Sequence, residues 1–326
     1  MILGIDVAKQ KFDAALLLPG GKIKSGTFPN SPEGFSSLFS WLKKTGAVKV
    51  HACMEATGVY GHNLAKALAG SGHKVSVVNP ARIKGFGQGE LIRSKTDKAD
   101  AALIARFCQA MRPEEWTAPP PHLERLCELS RRLDALNGAL LRERNRLAVT
   151  RDEVVIESIQ TMILHLRKEA ARIKAAIRTH IENHPELRRQ SDLLSSIPGV
   201  GPATITAILA ELSPAGGFQS ARKMAAFAGV TPRHHQSGSS VRGKSRMSKT
   251  GSGRIRKALY MPSLVAKRRN PILFEFAERL RAAGKPPMVV VGAVMRKLLH
   301  IIFGVLKSGK PFDPMIEINK MTAHVC

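Results

Sequence analysis

Residues 212–274 contain no Asp or Glu, while 13 of these 63 residues are Lys or Arg. Because no carboxylate in this stretch can pair with the cations, its field attracts anions. The centre of the stretch, residues 231–257, is broken by glycines and serines that disfavour a long helix. Residues 254–266 return to the apolar spacing of a helix, so the centre is predicted to be a loop held between ordered elements.

This basic loop combines hydroxyl groups with two adjacent histidines, His234 and His235. Hydroxyls among cations indicate either a phosphate clamp or a place where a hydroxyl attacks phosphorus. A flexible basic linker that only neutralises nucleic acid is the simpler alternative. The histidines are candidates for a general base, but the surrounding cations favour contacts to phosphate. The predicted nucleic-acid-binding residues are Arg233, His234, His235, Arg242, Lys244, Arg246, Lys249, Arg254, Arg256 and Lys257.

The charge of the whole chain indicates a polyanionic partner. The 326 residues carry a formal net charge of +26, and residues 222–310 contain 20 basic and 2 acidic side chains. This asymmetry favours nucleic acid over a membrane, and we expect no apolar stretch long enough to span a bilayer. The four cysteines form no Cys-x-x-Cys pair, and no targeting segment is recognised at Met1. We therefore expect a cytoplasmic protein without disulfides, structural zinc or a membrane partner.

The N-terminal part of the sequence alternates short apolar strands with helical segments, which predicts an α/β sheet. Strands are predicted within residues 2–18 and at 22–28, 48–54 and 73–78, with a helix at 63–69. Asp6 lies inside the first apolar strand, where a carboxylate is costly unless a cation or a hydrogen-bond donor meets it. Glu55 follows the end of a later strand, where α/β sheets place chemistry.

Two further acids follow at the start of a predicted helix. Thr96 or Asp97 can cap this helix, which puts Asp97 and Asp100 on one side of its first turn. Asp6, Glu55, Asp97 and Asp100 together fit the RNase H and RuvC arrangement, and their hard oxygen ligands suit Mg²⁺ or Mn²⁺. Each acid also has an ordinary structural explanation, such as a helix cap for Asp97 or a turn residue for Glu55.

The prolines at residues 119–121 predict a domain boundary. We expect an α/β domain at 1–118, a coiled-coil helical connection at 119–185 and a mainly α-helical domain at 186–326. Leucines and isoleucines in the connection follow two heptad patterns, which suit either an antiparallel pair within one chain or a coiled coil between chains. In the third segment, the Gly-x-Gly turn at Gly199 and Gly201 resembles a helix-hairpin-helix that approaches phosphate.

Six motifs in one order carry a resemblance to a known family. They are Gly-Ile-Asp-Val-Ala-Lys, Glu-Ala-Thr-Gly, Lys-Thr-Asp-Lys-Ala-Asp-Ala, Ile-Pro-Gly-Val-Gly, Phe-Ala-Gly-Val-Thr-Pro-Arg and Ser-Gly-Ser-Ser-Val-Arg-Gly-Lys-Ser-Arg-Met-Ser-Lys. Over nearly its whole length the chain resembles the DEDD transposases of the insertion-sequence one-ten family. The resemblance implies a RuvC-like N-terminal domain, a coiled-coil connection and a C-terminal transposase domain. It also implies excision and insertion of a mobile element under the guidance of a bridge RNA.

The resemblance assigns catalytic roles to five residues. The family's four acids fall on Asp6, Glu55, Asp97 and Asp100, and its catalytic serine falls on Ser237. We expect Ser237 to attack a DNA phosphate with help from the acids and Mg²⁺, while nearby arginines offset charge on phosphorus. A requirement for both domains at one phosphate would favour a homodimer or homotetramer. The alternatives are a RuvC-like metal-dependent DNA nuclease and a non-catalytic basic nucleic-acid-binding protein.

Overall fold

The chain divides into two units, Met1–Ala118 and Pro119–Cys326. The structure is a computed structural model that describes residues 1–56, 58, 60–90, 96–212, 218–237 and 241–315, and the side chains of residues 234–245 lie outside this description. The three-domain division expected from the sequence stays a prediction. Each unit is described by itself below.

The first unit is built on a mixed five-stranded sheet in the order β3-β2-β1-β4-β5. The strands are β1 (Ile2–Val7), β2 (Lys11–Leu17), β3 (Ile23–Pro29), β4 (His51–Glu55) and β5 (Lys74–Val78). The first three strands pair in antiparallel fashion, and β1, β4 and β5 run parallel. An antiparallel meander is continued by two parallel strands, and helices lie between the strands along the chain, so the predicted α/β class is confirmed.

In the described part of the first unit, four helices accompany this sheet: α1 (Pro32–Lys44), α2 (His62–Gly70), α3 (Pro80–Gly89) and α4 (Asp97–Met111). Helix α4 packs on β1, β2 and β4 and buries Ile104 and Phe107. Its close approach to β1 depends on Gly4, because a side chain at this position would meet the backbone of α4. The sheet residues Leu3, Ile5 and Phe12 are fully buried.

The described part of the second unit is mainly helical, with one two-stranded sheet. Its helices are α5 (Pro121–Leu147), α6 (Glu153–Glu182), α7 (Pro185–Ser195), α8 (Pro202–Leu212), α9 (Ala221–Phe227), α10 (Gly253–Arg269), α11 (Pro271–Ala282) and α12 (Pro287–Ser308). The hairpin consists of β6 (Pro232–Ser237) and β7 (Val241–Met247). Residues of α5 to α12 share one apolar core.

Helices α5 and α6 pack against each other within the chain. Their apolar heptad positions lie inward: Leu126 and Leu136 of α5 and Ile173 and Ile177 of α6 are buried. Both helices agree with the periodicity of the sequence. A coiled coil with a second chain, which the sequence left open, stays a prediction.

The turn between α7 and α8 contains the Gly-x-Gly sequence. Gly199 has a φ of +98°, and a Cβ atom there would lie 2.8 Å from the Cβ atom of Ala266 in α10. The left-handed backbone and the nearby helix both require glycine. At Gly201 a Cβ would meet nothing within 4 Å. The turn therefore packs on α10 at Gly199 and is open at Gly201, and its contact with phosphate stays a prediction.

The expectation that no apolar stretch is long enough to span a membrane is wrong for α12. This helix has 22 residues and a mean hydropathy of 2.0 in its most apolar window, half of which is buried inside the structure. Val294, Leu298 and Ile302 are fully buried in the core of the second unit. Length and composition alone cannot separate a buried core helix from a spanning one.

Candidate functional site

Asp6 and Glu55 lie on neighbouring parallel strands. Ile5 of β1 pairs with Met54 of β4, so the next residue on each strand is Asp6 or Glu55. Side chains at equal positions of paired strands point to the same face of the sheet. Both residues are half-buried. The register thus brings together the two acids that the sequence placed on separate strands.

The other two predicted acids are at the start of α4. The hydroxyl of Thr96 accepts a hydrogen bond from the backbone N–H of Ala99 at 3.2 Å, which makes Thr96 the N-cap. Asp97 is consequently the first helical residue, and Asp100 lies in the same first turn. Carboxylates in the first turn of a helix interact favourably with the helix dipole. The side chain of Asp97 is 58% exposed.

The acids of the first unit concentrate negative charge around Asp6. Burial raises the pKa of the Asp6 carboxyl above its ordinary value. The charges of Asp100, Asp97 and Asp13 raise this pKa further, whereas the ammonium of Lys11 lowers it. A cation bound at this position would relieve the repulsion among the carboxylates.

Sequence reasoning missed two charged residues of this site, Asp13 and Lys11. Asp13 lies directly opposite Asp6 in the antiparallel pair, is 3% exposed, and accepts a hydrogen bond from Thr27 Oγ1 at 2.5 Å. Lys11 Nζ lies 2.9 Å from Asp97 Oδ2 and 3.4 Å from Asp13 Oδ2. The short connection between the two apolar runs of residues 2–18 is the sequence signal that could have revealed Asp13, because it pairs residues 6 and 13.

The donor chemistry of the acids fits a hard divalent cation, since all four candidates supply carboxylate oxygens. Among the residues that the structure describes, however, no group of three or more His, Cys, Asp or Glu side chains is gathered tightly enough to hold a metal ion. Asp97 instead contacts Lys11. The assignment of Asp6, Glu55, Asp97 and Asp100 as metal ligands is therefore a proposal.

The basic segment predicted to be a loop contains a β-hairpin. Ser237 is the last residue of β6 and pairs with Val241, so it lies next to the hairpin tip. Residues 238–240 lie outside the described residues, as do the side chains of Ser237, His234, His235, Arg242 and Lys244. Antiparallel pairing satisfies backbone groups that a free loop would leave to water. The pairing is irregular between Arg233 and His235.

The described cations of this segment divide into two groups. Arg233, Arg246, Lys249 and Lys257 are exposed. Arg254 instead pairs with Asp134 at 2.8 Å and with Glu211 at 3.3 Å. Arg256 donates a hydrogen bond to the backbone carbonyl of Ala228 at 3.2 Å. The charge of Arg254 is therefore partly neutralised within the chain, which the sequence pattern did not indicate.

A strongly positive net charge is the electrostatic signature of a protein that binds nucleic acid. In this chain it accompanies carboxylates at the carboxyl ends of the paired strands β1 and β4. Residues 3–155 match a family described as "Transposase", and residues 191–278 match the "Transposase IS116/IS110/IS902 family". The chain belongs to the IS110 family of transposases, which is the insertion-sequence one-ten family that the sequence motifs resemble.

Several named proteins are similar to this chain. The "Pilin gene-inverting protein" of Moraxella bovis is 33% identical over 97% of this chain and 98% of its own length. The "Transposase for insertion sequence element IS1111A" of Coxiella burnetii is 24% identical over 73% of this chain and 70% of its own length. Among solved structures, "Thermus thermophilus RuvC structure" covers 35% of this chain and 98% of its own chain, with a TM-score of 0.25 and 15% identity.

Proposed function

We propose that this transposase joins DNA strands through a covalent phosphoserine intermediate at Ser237, assisted by the acids around Asp6. The observation that carries the proposal is the concentration of carboxylates at Asp6 in a chain with a net charge of +26. Carboxylates repel DNA phosphate unless they hold cations. Carboxylates at the carboxyl ends of β1 and β4 and in the first turn of α4 of a transposase therefore support metal-assisted phosphoryl transfer.

In the proposed reaction, Ser237 Oγ forms a bond to a DNA phosphorus, and the bond from that phosphorus to one deoxyribose oxygen breaks. The serine proton leaves and the deoxyribose oxygen acquires a proton, so the energy of the phosphodiester is kept in the serine ester. Bound Mg²⁺ would supply Lewis-acid stabilisation of the phosphate oxygens. Asp6, Glu55, Asp97 and Asp100 would hold this ion, and Arg233, Arg242 and Arg246 would offset the charge on phosphorus.

A trapping experiment separates this mechanism from its alternatives. The full chain is incubated with Mg²⁺, the bridge RNA and DNA that contains its element ends, quenched in detergent and analysed on a denaturing gel. A serine recombinase leaves protein covalently attached to DNA, and Ser237→Ala removes the attached species. A RuvC-like nuclease leaves free DNA ends, and a basic binding protein leaves the DNA intact. Covalent attachment that persists in Ser237→Ala but disappears in Ser239→Ala or Ser240→Ala would move the nucleophile to another hydroxyl.

We further propose that a bridge RNA selects the DNA site, as the family resemblance implies, and that the protein acts in the cytoplasm as a homodimer or homotetramer. Basic side chains that contact phosphate position nucleic acid without reading its sequence. Matched changes in the guide loop and in the target should therefore restore recombination with the protein unchanged. Redirection of the site by protein mutations alone would contradict RNA guidance. Light scattering of the purified protein tests the oligomer.

A second candidate function is inversion of a chromosomal DNA segment. The two pilin gene-inverting proteins, of Moraxella bovis and Moraxella lacunata, are each 33% identical to this chain over 97% of its length. Inversion and element insertion use the same strand exchange and differ in the arrangement of the sites. A plasmid with two inverted copies of the end sequence separates them: inversion flips the segment between the copies, whereas transposition moves the element to a new target.

A further inference from the structure

A cavity of about 780 Å³ lies in the second unit, bounded by the β6–β7 hairpin, α11 and α12. This volume is within the range of ~300–1,000 Å³ that is typical of sites for single small ligands. Its helical wall is one face of α12, where Met288, Gly292 and Arg296 follow each other at intervals of four residues. A Cβ atom on Gly292 would lie 3.0 Å from Met247 Cε, so glycine keeps this wall open beside the hairpin.

One part of the cavity wall is apolar and includes an aromatic ring. Phe276 of α11, Met247 of β7 and Met288 of α12 line it. Met288 is 65% exposed and is therefore accessible to a ligand that enters the cavity. The guanidinium of Arg279 lies 5.5 Å from the centroid of the Phe276 ring. A flat ring and polarisable thioethers suit a planar unsaturated group, because nucleobases stack on such walls.

The remaining wall is cationic. Arg246, Lys249, Arg296 and Lys297 line the cavity, and the described lining contains no carboxylate. The Nε atom of Arg296 is buried and makes no hydrogen bond within the part of the chain that the structure describes. A buried guanidinium N–H without an acceptor is unfavourable, and an anionic oxygen is its strongest partner. The cavity therefore fits a ligand that joins a planar group to an anion.

We propose that this cavity holds one unstacked nucleotide of the DNA substrate, with its base on Phe276 and Met288 and its phosphate at Arg296 and Arg246. The positive charge of the lining opposes a cationic occupant, and the buried Arg296 N–H favours an anionic occupant over a purely apolar one. The aromatic wall favours a nucleotide over an acidic peptide. The inference rests on the DNA-binding part of the proposed function. It does not depend on the serine chemistry.

The position of the cavity relates it to Ser237. Pro232, at one end of β6, lines the cavity, and Ser237 is the last residue of the same strand. Five steps along a strand span ~16 Å at about 3.3 Å per residue. Stacked DNA covers that distance in roughly five nucleotides at about 3.4 Å each. The unstacked nucleotide would consequently lie a few positions from the phosphate that Ser237 attacks.

The test compares two fluorescein-labelled DNA duplexes of the same sequence, one fully paired and one with a single extra 2-aminopurine nucleotide in one strand. The full chain carrying Ser237→Ala is used so that the DNA stays intact, and dissociation constants are measured by anisotropy at one fixed salt concentration. We expect the bulged duplex to bind roughly 5- to 100-fold more tightly, as stacking of one base allows, with quenching of 2-aminopurine.

A second substitution, Phe276→Leu, in the Ser237→Ala chain should abolish this preference and the quenching of 2-aminopurine. The affinity for the paired duplex should stay the same. Phe274→Leu is the matched control, because Phe274 is on the same helix, is 47% exposed and does not line the cavity. Met288→Ala removes another side chain of the same wall. Because Met288 is exposed, this variant is expected to fold and tests the proposal even if Phe276→Leu fails to fold. Arg296→Gln should weaken the bulged complex more than the paired one.

Equal affinity for both duplexes, or an unchanged preference in both Phe276→Leu and Met288→Ala, would overturn the proposal. A preference that appears only with the RNA version of the bulge would also overturn it and assign the cavity to RNA. Failure of covalent trapping with an intact bulge preference would remove the serine mechanism but not the cavity assignment. Successful trapping without a bulge preference would remove the cavity assignment but not the serine mechanism.

Discussion

The backbone of Gly4 in β1 lies against that of Ala101 in α4, so closely that a Cβ atom on Gly4 would be 2.1 Å from the Ala101 carbonyl oxygen. The same atom would be 2.3 Å from the backbone nitrogen of Ala105. Asp6 lies two residues beyond Gly4, and Asp100 immediately precedes Ala101. The absence of a side chain at Gly4 therefore allows the helix acids to approach the strand acid.

Gly4→Ala should separate α4 from β1 and destabilise the first unit by about 1–3 kcal/mol, as overpacking of a core does. Both tryptophans, Trp41 and Trp116, are in this unit. Their fluorescence during denaturation by urea measures the effect. Gly70→Ala is the matched control, because a Cβ on this helical glycine meets nothing within 4 Å. Equal denaturation midpoints for the two variants would show that α4 does not depend on Gly4.

The acids should be needed for activity but not for folding. Asp6→Asn, Glu55→Gln, Asp97→Asn and Asp100→Asn retain side-chain size and remove the charge that binds a metal ion, so each should abolish strand transfer. EDTA should reproduce this loss in the unmodified chain, and Mg²⁺ should reverse it. Full strand transfer in EDTA would contradict a metal-dependent reaction.

Asp6→Asn should also make the metal-free protein more stable at neutral pH. A raised pKa means that the folded chain disfavours the charged carboxylate, and asparagine removes that charge. The denaturation midpoint in EDTA should thus rise in Asp6→Asn, while activity is lost. A lower midpoint would indicate that the Asp6 carboxylate stabilises the fold.

The parts of the first unit that were predicted correctly depend on local sequence. Apolar runs predicted the strands. Thr96 predicted the start of α4, because a cap and the helix that it begins are only a few residues apart. The contact between Lys11 and Asp97 joins residues 86 positions apart and exists because Gly4 admits the helix. No pattern of residue types encodes such an approach, so Lys11 was not recognised.

Substitutions of Arg254 and Lys257 should have different effects on stability and on DNA binding, although both residues are cations of α10. Arg254→Gln leaves Asp134 and the poorly exposed Glu211 without their partner, and should lower stability by about 1–3 kcal/mol. Lys257→Gln should leave stability unchanged and reduce the slope of log affinity against log salt by about one unit if Lys257 contacts a phosphate. Urea denaturation and DNA binding at several salt concentrations measure the two effects. Reversed results would make Arg254 the phosphate contact and Lys257 the structural residue.

The hairpin in the basic segment was not predicted because its strands lack the alternation of apolar and polar residues that signals a sheet. The sequence of β7, Val-Arg-Gly-Lys-Ser-Arg-Met, has apolar side chains only at its two ends. Its pairing with β6 and the packing of Met247 beside α12 are tertiary interactions. Composition identified the charge of the segment correctly but could not give its backbone.

The second unit should lose stability as the pH falls below about 6.5, the ordinary pKa of histidine. Burial lowers the pKa of His180, whose Nε2 lies 2.8 Å from the His122 carbonyl oxygen. The unfolded chain therefore binds a proton at a pH where the folded chain does not, which favours unfolding as the pH falls. Circular dichroism during urea denaturation between pH 5 and 7.5 measures this effect. His180→Gln should flatten the dependence, and an unchanged slope would exclude His180 as its source.

Helix α6 extends beyond the shared core of the second unit, since Leu166 is the first of its residues in that core and the helix begins at Glu153. Thirteen residues of helix project ~20 Å at about 1.5 Å per residue. A tilt of about 10° at Leu166 would move the projecting end by roughly 3.5 Å. A small rotation of α6 at the core would thus become, at its projecting end, a displacement comparable to one nucleotide step.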